Sequence, residues 1–243
     1  GKPFGDGPDG HSLWPSFTNV PNEFLESYFP LRIDIYETII DTGGAGKNRG
    51  GNGLRIGYRF LEPGEISIHD DRWLTYPWGA NGGEPGARST KLLKRADGTE
   101  EILPSKMDHI KVEAGDLLLS DTWGGGGWGD PFERDAKQVA FDVAAGLVSI
   151  KGARRYGVVI KSDHSIDEIA TTSLRKEMAA KRGPKKIFDR GFDSIDELKA
   201  RCKAETGLEP PAQPQFTKWA KKAAEMIEQK SLIKGKGRAA RVA

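Results

Sequence analysis

Thr122-Trp123-Gly124-Gly125-Gly126-Gly127-Trp128-Gly129-Asp130-Pro131 places four consecutive glycines between two tryptophans. Only glycine reaches positive φ without steric cost, so the run is open to backbone shapes closed to other residues. Left unpacked it is costly to order, and the flanking tryptophans indicate packing. Upstream, Asp116-Leu117-Leu118-Leu119-Ser120 has the composition of a strand. Downstream, Asp130-Pro131 opens a helical stretch. A strand, a glycine turn and a helix start would gather N–H groups into an anion-facing cradle. The alternative is a tight structural turn. The spacing Gly124, Gly126, Gly129 also satisfies G-x-G-x-x-G. A dinucleotide fold, however, needs a second parallel strand ending in an acidic residue about 20 positions on. Here Val139-Ala140-Phe141-Asp142-Val143 reads as helix instead.

Around this stretch the chain reads as soluble and globular. Its 243 residues suffice for one large domain or two small ones. Hydrophobic residues make up 37% and charged residues 30%, and the net charge of +2 is too small to argue for nucleic acid. One cysteine, Cys202, excludes an internal disulfide and suits a reducing, cytoplasmic compartment. No apolar run approaches the roughly 20 residues of a membrane span, and no secretory signal leads the chain. Residue 1 is Gly rather than Met, as in a fragment or a processed product.

Composition changes near residue 162. Before it lie 26 of the 31 glycines and five of the six tryptophans, and beyond it Lys, Glu and Ala dominate. The first part alternates with period 2: Leu31, Ile33 and Ile35, then Leu54, Ile56, Tyr58 and Phe60, each interleaved with polar residues or glycine. Ile66 and Ile68 follow Pro63-Gly64, Leu92-Leu93 and Ile102-Leu103 flank the hairpin signal Asp97-Gly98, and Ile110 and Val112 lead to the leucine strand. Short strands with turns between them predict an antiparallel β domain. Helices are expected after the glycine run. Asp135 is an N-cap closed by Gly146, Ser149 caps a short helix ending at Gly157, and Ser165 with Glu168 forms a capping box. Ile166, Ile169, Leu174 and Met178 give that last helix an apolar stripe. Ser194 with Glu197 starts another helix, closed at Gly207, and a basic helix is expected over 217–233 before a disordered tail. The fold class is thus α+β: a mainly antiparallel β domain with Gly-rich loops over 1–161, then a helical C-terminal region over 162–243.

Three clusters can carry chemistry. The first joins Asp6, Asp9 and His11 to Asn19, Asn22, Glu23 and Glu26, amides and carboxylates able to orient an amide or carboxylate substrate and move protons. Its plainer reading is a polar loop capping a helix. The second is Asp41-Thr42-Gly43-Gly44-Ala45-Gly46-Lys47-Asn48-Arg49-Gly50-Gly51. A P-loop requires Gly where Asp41 stands and a hydroxyl where Asn48 stands, so no Walker site is formed. An oxyanion contact through backbone N–H, Lys47 or Arg49 stays open beside a structural glycine loop. The third is His69-Asp70-Asp71-Arg72-Trp73. The four histidines show no paired ligand spacing, so a salt-bridged turn is preferred to a metal site. Cys202 falls in a helix and has no histidine near it in sequence, which argues against a thiol nucleophile.

Taken together these blocks resemble the hydantoinase B/oxoprolinase family. The run from Asp41 to Gly53 is similar to that family's "D-S-G-G-A-G-x-x-R-G-G-x-G", and Thr122 to Asp135 to its "T-P-G-G-G-G-Y-G-D-P-x-x-R-D", with Trp123 and Trp128 in place of Pro and Tyr. Asp142-Val143, Gly146 to Ser149, Ala153 to Val159 and the Asn19, Asn22-Glu23, Glu26 segment continue the likeness, which covers nearly all of residues 5 to 210. It implies the C-terminal half of a B-type subunit in an ATP-dependent hydantoinase, oxoprolinase or ketone carboxylase. In such enzymes phosphorylation of a lactam amide or enol oxygen precedes hydrolysis or carboxylation. The resemblance also implies a hydantoinase A-like partner carrying ATP and Mg, a further N-terminal half with a possible divalent metal, no metal on this chain, and neither nucleic acid nor membrane as partner. On these grounds Glu23, Asp41 and Asp130 are the candidate catalytic residues. Asn19, Asn22, Arg49, Arg72, Gly125 and Gly126 are the candidate substrate contacts. The competing expectation is a non-catalytic module that braces the ATP-binding subunit.

Overall fold

A computed structural model describes residues 1–11, 20–212 and 225–226. Asn19 and nearly all of the helix expected over 217–233 lie outside the described residues. Residues 1–210 form one compact unit.

The alternating segments become an antiparallel sheet, so the molecule is α+β. Strands β1 (Leu31–Thr38) and β2 (Leu54–Phe60) pair in sequence. Strands β3 (Gly64–His69) and β7 (Lys106–Val112) leave the main sheet as a separate two-stranded ribbon. Strand β5 (Thr90–Lys94) turns at Gly98, whose φ is 89°, into β6 (Glu100–Ile102). Strand β8 (Leu117–Asp121) then inserts between β2 and β5, giving the order β1-β2-β8-β5-β6. One face of this sheet presents Tyr58, Phe60, Leu93 and Leu118, and the ribbon lays Ile68, Ile110 and Val112 against it. Each fully buried aliphatic side chain there stabilises the fold by roughly 1.5–3 kcal/mol.

A second core forms around Ala45. Helix α2 (Ala136–Ala144) contributes Val139 and Val143, spaced i, i+4, to pack with Val148, Tyr156 and Val158. Its N-cap is Asp135, and Gly146 follows its end at φ 72°. Ser149 Oγ accepts the Gly152 N–H at the head of a 3-10 turn (Gly152–Tyr156), which ends at Gly157 in the left-handed region.

The helical part departs from expectation in one place. Helix α3 (Glu168–Lys181) is capped by Asp167, which accepts the Ala170 N–H, while Ser165 bonds Asp163 instead. Its expected apolar stripe faces inward only in part: Ile166 packs against the second core and Leu174 and Met178 are half-buried, but Ile169 is 86% exposed. Thr171 is the buried residue, and its hydroxyl accepts the Val159 N–H. Arg175 on the same helix donates to the Tyr156 and Arg134 carbonyls. Backbone groups needing partners therefore help set which side of α3 faces in. Helix α4 (Ile195–Thr206) begins with Ser194 accepting the Glu197 N–H, ends at left-handed Gly207 and buries Leu198 and Cys202. Arg88 bonds both the Trp73 carbonyl and Glu205, tying α4 to the β region. The short strands β4 (Gly79–Ala80) and β9 (Phe188–Asp189) pair as well. Helix α1 (Asn22–Tyr28) adjoins β1 and buries none of its residues.

Candidate functional site

The segments 41–53, 78–87 and 122–130 are laid side by side and joined by main-chain bonds. The Gly44 N–H donates to Gly125 O at 2.8 Å, Gly125 N–H to Gly51 O at 2.7 Å and Gly127 N–H to Glu84 O at 2.9 Å. Ala80 N–H donates to Gly127 O, Gly124 N–H to Ala87 O, and Asn48 and Trp128 exchange bonds in both directions. This corrects the anion-cradle reading, because the N–H groups of Gly124, Gly125 and Gly127 point at carbonyls of other segments. The reason for glycine also differs from the expected one. None of Gly124 to Gly127 has positive φ; what excludes a side chain is proximity. A Cβ on Gly126 would overlap the Trp78 carbonyl oxygen, and one on Gly124 the Thr42 carbonyl oxygen. Backbones approach here to distances that only glycine permits.

A frame of buried ion pairs surrounds the bundle. Arg134, 3% exposed, donates to both oxygens of Asp6 at 2.8 Å, to Asp142 at 2.7 Å and to the Lys47 carbonyl at 3.0 Å. Burial pulls the Asp6 carboxyl upward, but the Arg134 bonds and charge outweigh it and hold the pKa below the ordinary value. Asp6 also accepts the Arg49 N–H. Arg49, 4% exposed, donates to Asp9 at 2.9 Å and to the Gly50 carbonyl at 2.8 Å. Asp9 and Asn52 fix the loop between them: Asp9 accepts the Asn52 N–H, and Asn52 bridges Gly43 to Leu147. Arg155 bonds Glu84 and the carbonyls of Asp41 and Gly43.

The expected site residues divide among these parts. Asp41 stands at φ 66°, and its carboxylate accepts the Ser149 N–H at 2.9 Å. Asp130 is 4% exposed and caps the 3-10 turn Pro131–Glu133 by accepting the Phe132 N–H. Arg182 holds it through both oxygens at 2.6 and 2.5 Å, and Lys185 lies 2.9 Å away. Burial opposes ionisation of Asp130, yet the Arg182, Phe132 and Lys185 bonds prevail and its pKa lies far below the carboxylate range. Gly125 and Gly126 lie within the bundle and Arg49 beside it. Asn22 and Glu23 sit apart on α1, where the Glu23 side chain is exposed, and Arg72 is exposed at φ 58° between β3 and β4. His69 pairs with Asp108 and Asp70 with Lys91, the salt-bridged turn expected there. Arg134, Arg155 and Arg182 were absent from the sequence reading of the site. Sequence distance hides their partners, since Arg134 meets Asp6 across 128 positions.

Beside Asp130 a cleft of about 430 Å3 opens between Gly82–Glu84, Pro131–Phe132 and the chain from Met178 to Asp189. The Arg182 guanidinium lies 4.5 Å from the Phe132 ring centre. Lys185 and Lys186 on its rim are paired with Asp130, Glu133, Asp189 and Asp193. Among the described residues no group of three or more His, Cys, Asp or Glu is placed to hold a metal ion. No described helix is long and apolar enough to cross a membrane.

The sequence model of the hydantoinase B/oxoprolinase family matches residues 1–131. The chain is 33% identical over 174 residues to the putative B-type subunit of a D-/L-hydantoinase from Pseudomonas sp. strain NS671, covering 70% of this chain and 29% of that protein. The solved structure of the ATP-dependent caprolactamase from Pseudomonas jessenii superposes with a TM-score of 0.57 at 34% identity, over 64% of this chain and 28% of that one. A nucleotide-free acetone carboxylase superposes at 0.61 over 74% and 30%, and at 23% identity shares the fold. The chain thus spans under a third of each relative's length.

Proposed function

The chain belongs to the hydantoinase B/oxoprolinase family, and from that membership we propose that it serves as part of a B-type subunit in an ATP-dependent enzyme acting on a lactam amide or an enolisable ketone. The observation carrying this reading is the interlocked bundle. The two blocks that bear the family pattern, 41–53 and 122–131, bond directly to each other through Gly44–Gly125 and Gly125–Gly51. Such a body has few soft torsions and suits a wall that fixes a substrate against a second catalytic surface. ATP and Mg belong to a hydantoinase A-like partner in this proposal. Phosphorylation of the amide oxygen there makes the carbonyl carbon electrophilic. Water then adds at that carbon, and the ring C–N bond opens to leave a free amine and an acyl phosphate, which a second water hydrolyses to carboxylate and phosphate. Glu23, exposed on α1 beside Asn22, is the proposed acid–base group on this chain, facing the assembled site.

The test begins with calorimetry on the purified chain. ATP should give no binding heat alone, and ATP-dependent lactam opening should appear once an A-type partner and the rest of a B-type subunit are supplied. Tight ATP binding by the chain alone would sink the proposal. In the assembled enzyme Glu23→Gln should leave the complex intact and lower turnover by about 10²–10⁴-fold, the range for a lost general acid or base. Asp41→Asn is the companion, since asparagine keeps an acceptor oxygen for the Ser149 N–H.

A second reading is favoured by the engagement of Asp41 and Asp130 in structural bonds. If both variants turn over within about twofold of wild type, the chain acts as a non-catalytic module bracing its partners.

A further inference from the structure

The ribbon covers one face of the sheet, and the opposite face carries an apolar row in register across all five strands. Ile35 pairs with Gly57, Gly57 with Leu119, Leu119 with Leu92, and Leu92 with Ile102. Directly opposed residues in antiparallel strands point to the same side, so Ile35, Leu119, Leu92 and Ile102 form one stripe. A Cβ on Gly57 would lie 3.0 Å from that of Ile35, placing the Ile35 side chain across the glycine on this side. All four are half-buried, and they pack into neither hydrophobic core. Their neighbours on the opposite face, Leu93 and Leu118, are 0% and 8% exposed.

The charges on the rims of the stripe are paired within the sheet. On one side Arg55 binds both oxygens of Asp121 at 2.7 Å. On the other, Asp34 is shared by Arg32 and Arg59, and Lys94 pairs with Glu100. Charges satisfied within the sheet offer little to a nucleic acid or an acidic peptide and frame a surface for an apolar occupant. At about 4.8 Å per strand the stripe is about 19 Å long, matching some 13 residues of helix at 1.5 Å each. At the same edge, α1 presents Phe24 and Tyr28 stacked at 4.2 Å and 50% and 69% exposed. A half-buried apolar stripe that continues into exposed aromatic rings is surface of the kind that marks an interaction site.

Resting on the B-type reading, we infer that this sheet face docks an apolar helix from the remainder of a B-type subunit's polypeptide. All five strands lie within the residues matched by the family model, 1–131, while the relatives carry some 70% of their length outside the shared part. Among the described residues the stripe is the apolar sheet face open to that length in an assembled subunit.

The test uses the full chain and, as a separate polypeptide, the rest of its B-type subunit. The double variant Leu92→Lys/Leu119→Lys should melt close to wild type, because the stripe packs into neither hydrophobic core among the described residues. It should bind the separate polypeptide about 30-fold or more weakly, as expected for loss of two central anchors of the proposed contact. Leu92→Thr/Leu119→Thr, which suits a strand, provides the same test with less charge. Unfolding of both double variants would show the face to be internal core and overturn the inference. Unchanged affinity of a folded variant would overturn it too while leaving the B-type reading intact. No binding by the wild-type chain would remove both.

Discussion

Gly126→Val should yield no soluble folded protein, or a unit melting at least 10 °C below wild type. The first atom added, Cβ, would overlap the carbonyl oxygen of Trp78. That oxygen belongs to a segment held by Gly86 N–H to Pro77 O and, next to Gly126 itself, by Ala80 N–H to Gly127 O, so the backbones must part. Each bond then broken leaves a shielded amide or carbonyl at a cost of about 1–3 kcal/mol. Two or three of these approach the 5–15 kcal/mol that keeps an ordinary domain folded. Two controls isolate the cause. Gly125→Ala would place its Cβ 3.2 Å from the Gly51 nitrogen, a mild squeeze, and should fold. Gly146→Ala meets open space and carries the cost of left-handed φ alone, about 1–2 kcal/mol. Circular dichroism melts should place Gly126→Val far below both controls. Equal melting of Gly126→Val and wild type would mean that the segments are not in contact.

Arg134→Met should destabilise the unit by about 3–5 kcal/mol, the range for removing one partner of a buried ion pair. The guanidinium serves two carboxylates and a main-chain carbonyl at once, and Asp142 is 2% exposed. Lysine should not rescue, since one ammonium cannot supply the forked donors that meet Asp6 and Asp142 together. Arg134→Met with Asp142→Asn should recover part of the loss by removing the stranded charge. Acid titration gives an independent check. The Asp6 carboxyl has a folded pKa below its unfolded value near 4, so its stabilisation is complete above that value and disappears as pH falls through the lower folded one. The gap between wild type and Arg134→Met, followed by urea unfolding, should therefore narrow below about pH 4. A gap unchanged from pH 7 to pH 2 would assign the effect to packing alone.

Local chemistry was legible in the sequence and long-range closure was not. Asp97-Gly98 announced the hairpin that pairs Leu92 with Ile102, because that turn needs only its own residues. Asp135 and Ser194 each capped the helix expected of them, and Ser149 accepts the N–H at the head of its 3-10 turn, for the same reason. Ser165 did not, because Asp163 lies within reach of its hydroxyl and Asp167 stands nearer the helix. The glycine run was visible, yet its cause was not: nothing in 122–131 says that carbonyls of residues 42, 45 and 78 will lie against it. For the site, the spacing of Asp41 and Asp130 showed that they stand in polar glycine loops. It could not show that Ser149 and Arg182 would claim their oxygens.

The glycine bundle has a kinetic consequence. Its bonds join Gly44 to Gly125 and Ala45 to Glu84, contacts separated by 81 and 39 positions, and the glycine-to-glycine ones offer no side-chain burial to reward an early encounter. Glycine also surrenders more chain entropy on ordering than any other residue. Loop closure at such separations must be met before the first bond forms. The seam is therefore expected to close last, after the sheet, the ribbon and α2 have brought its three segments within reach. Until it closes, each segment remains the loosest part of a chain that is otherwise already folded.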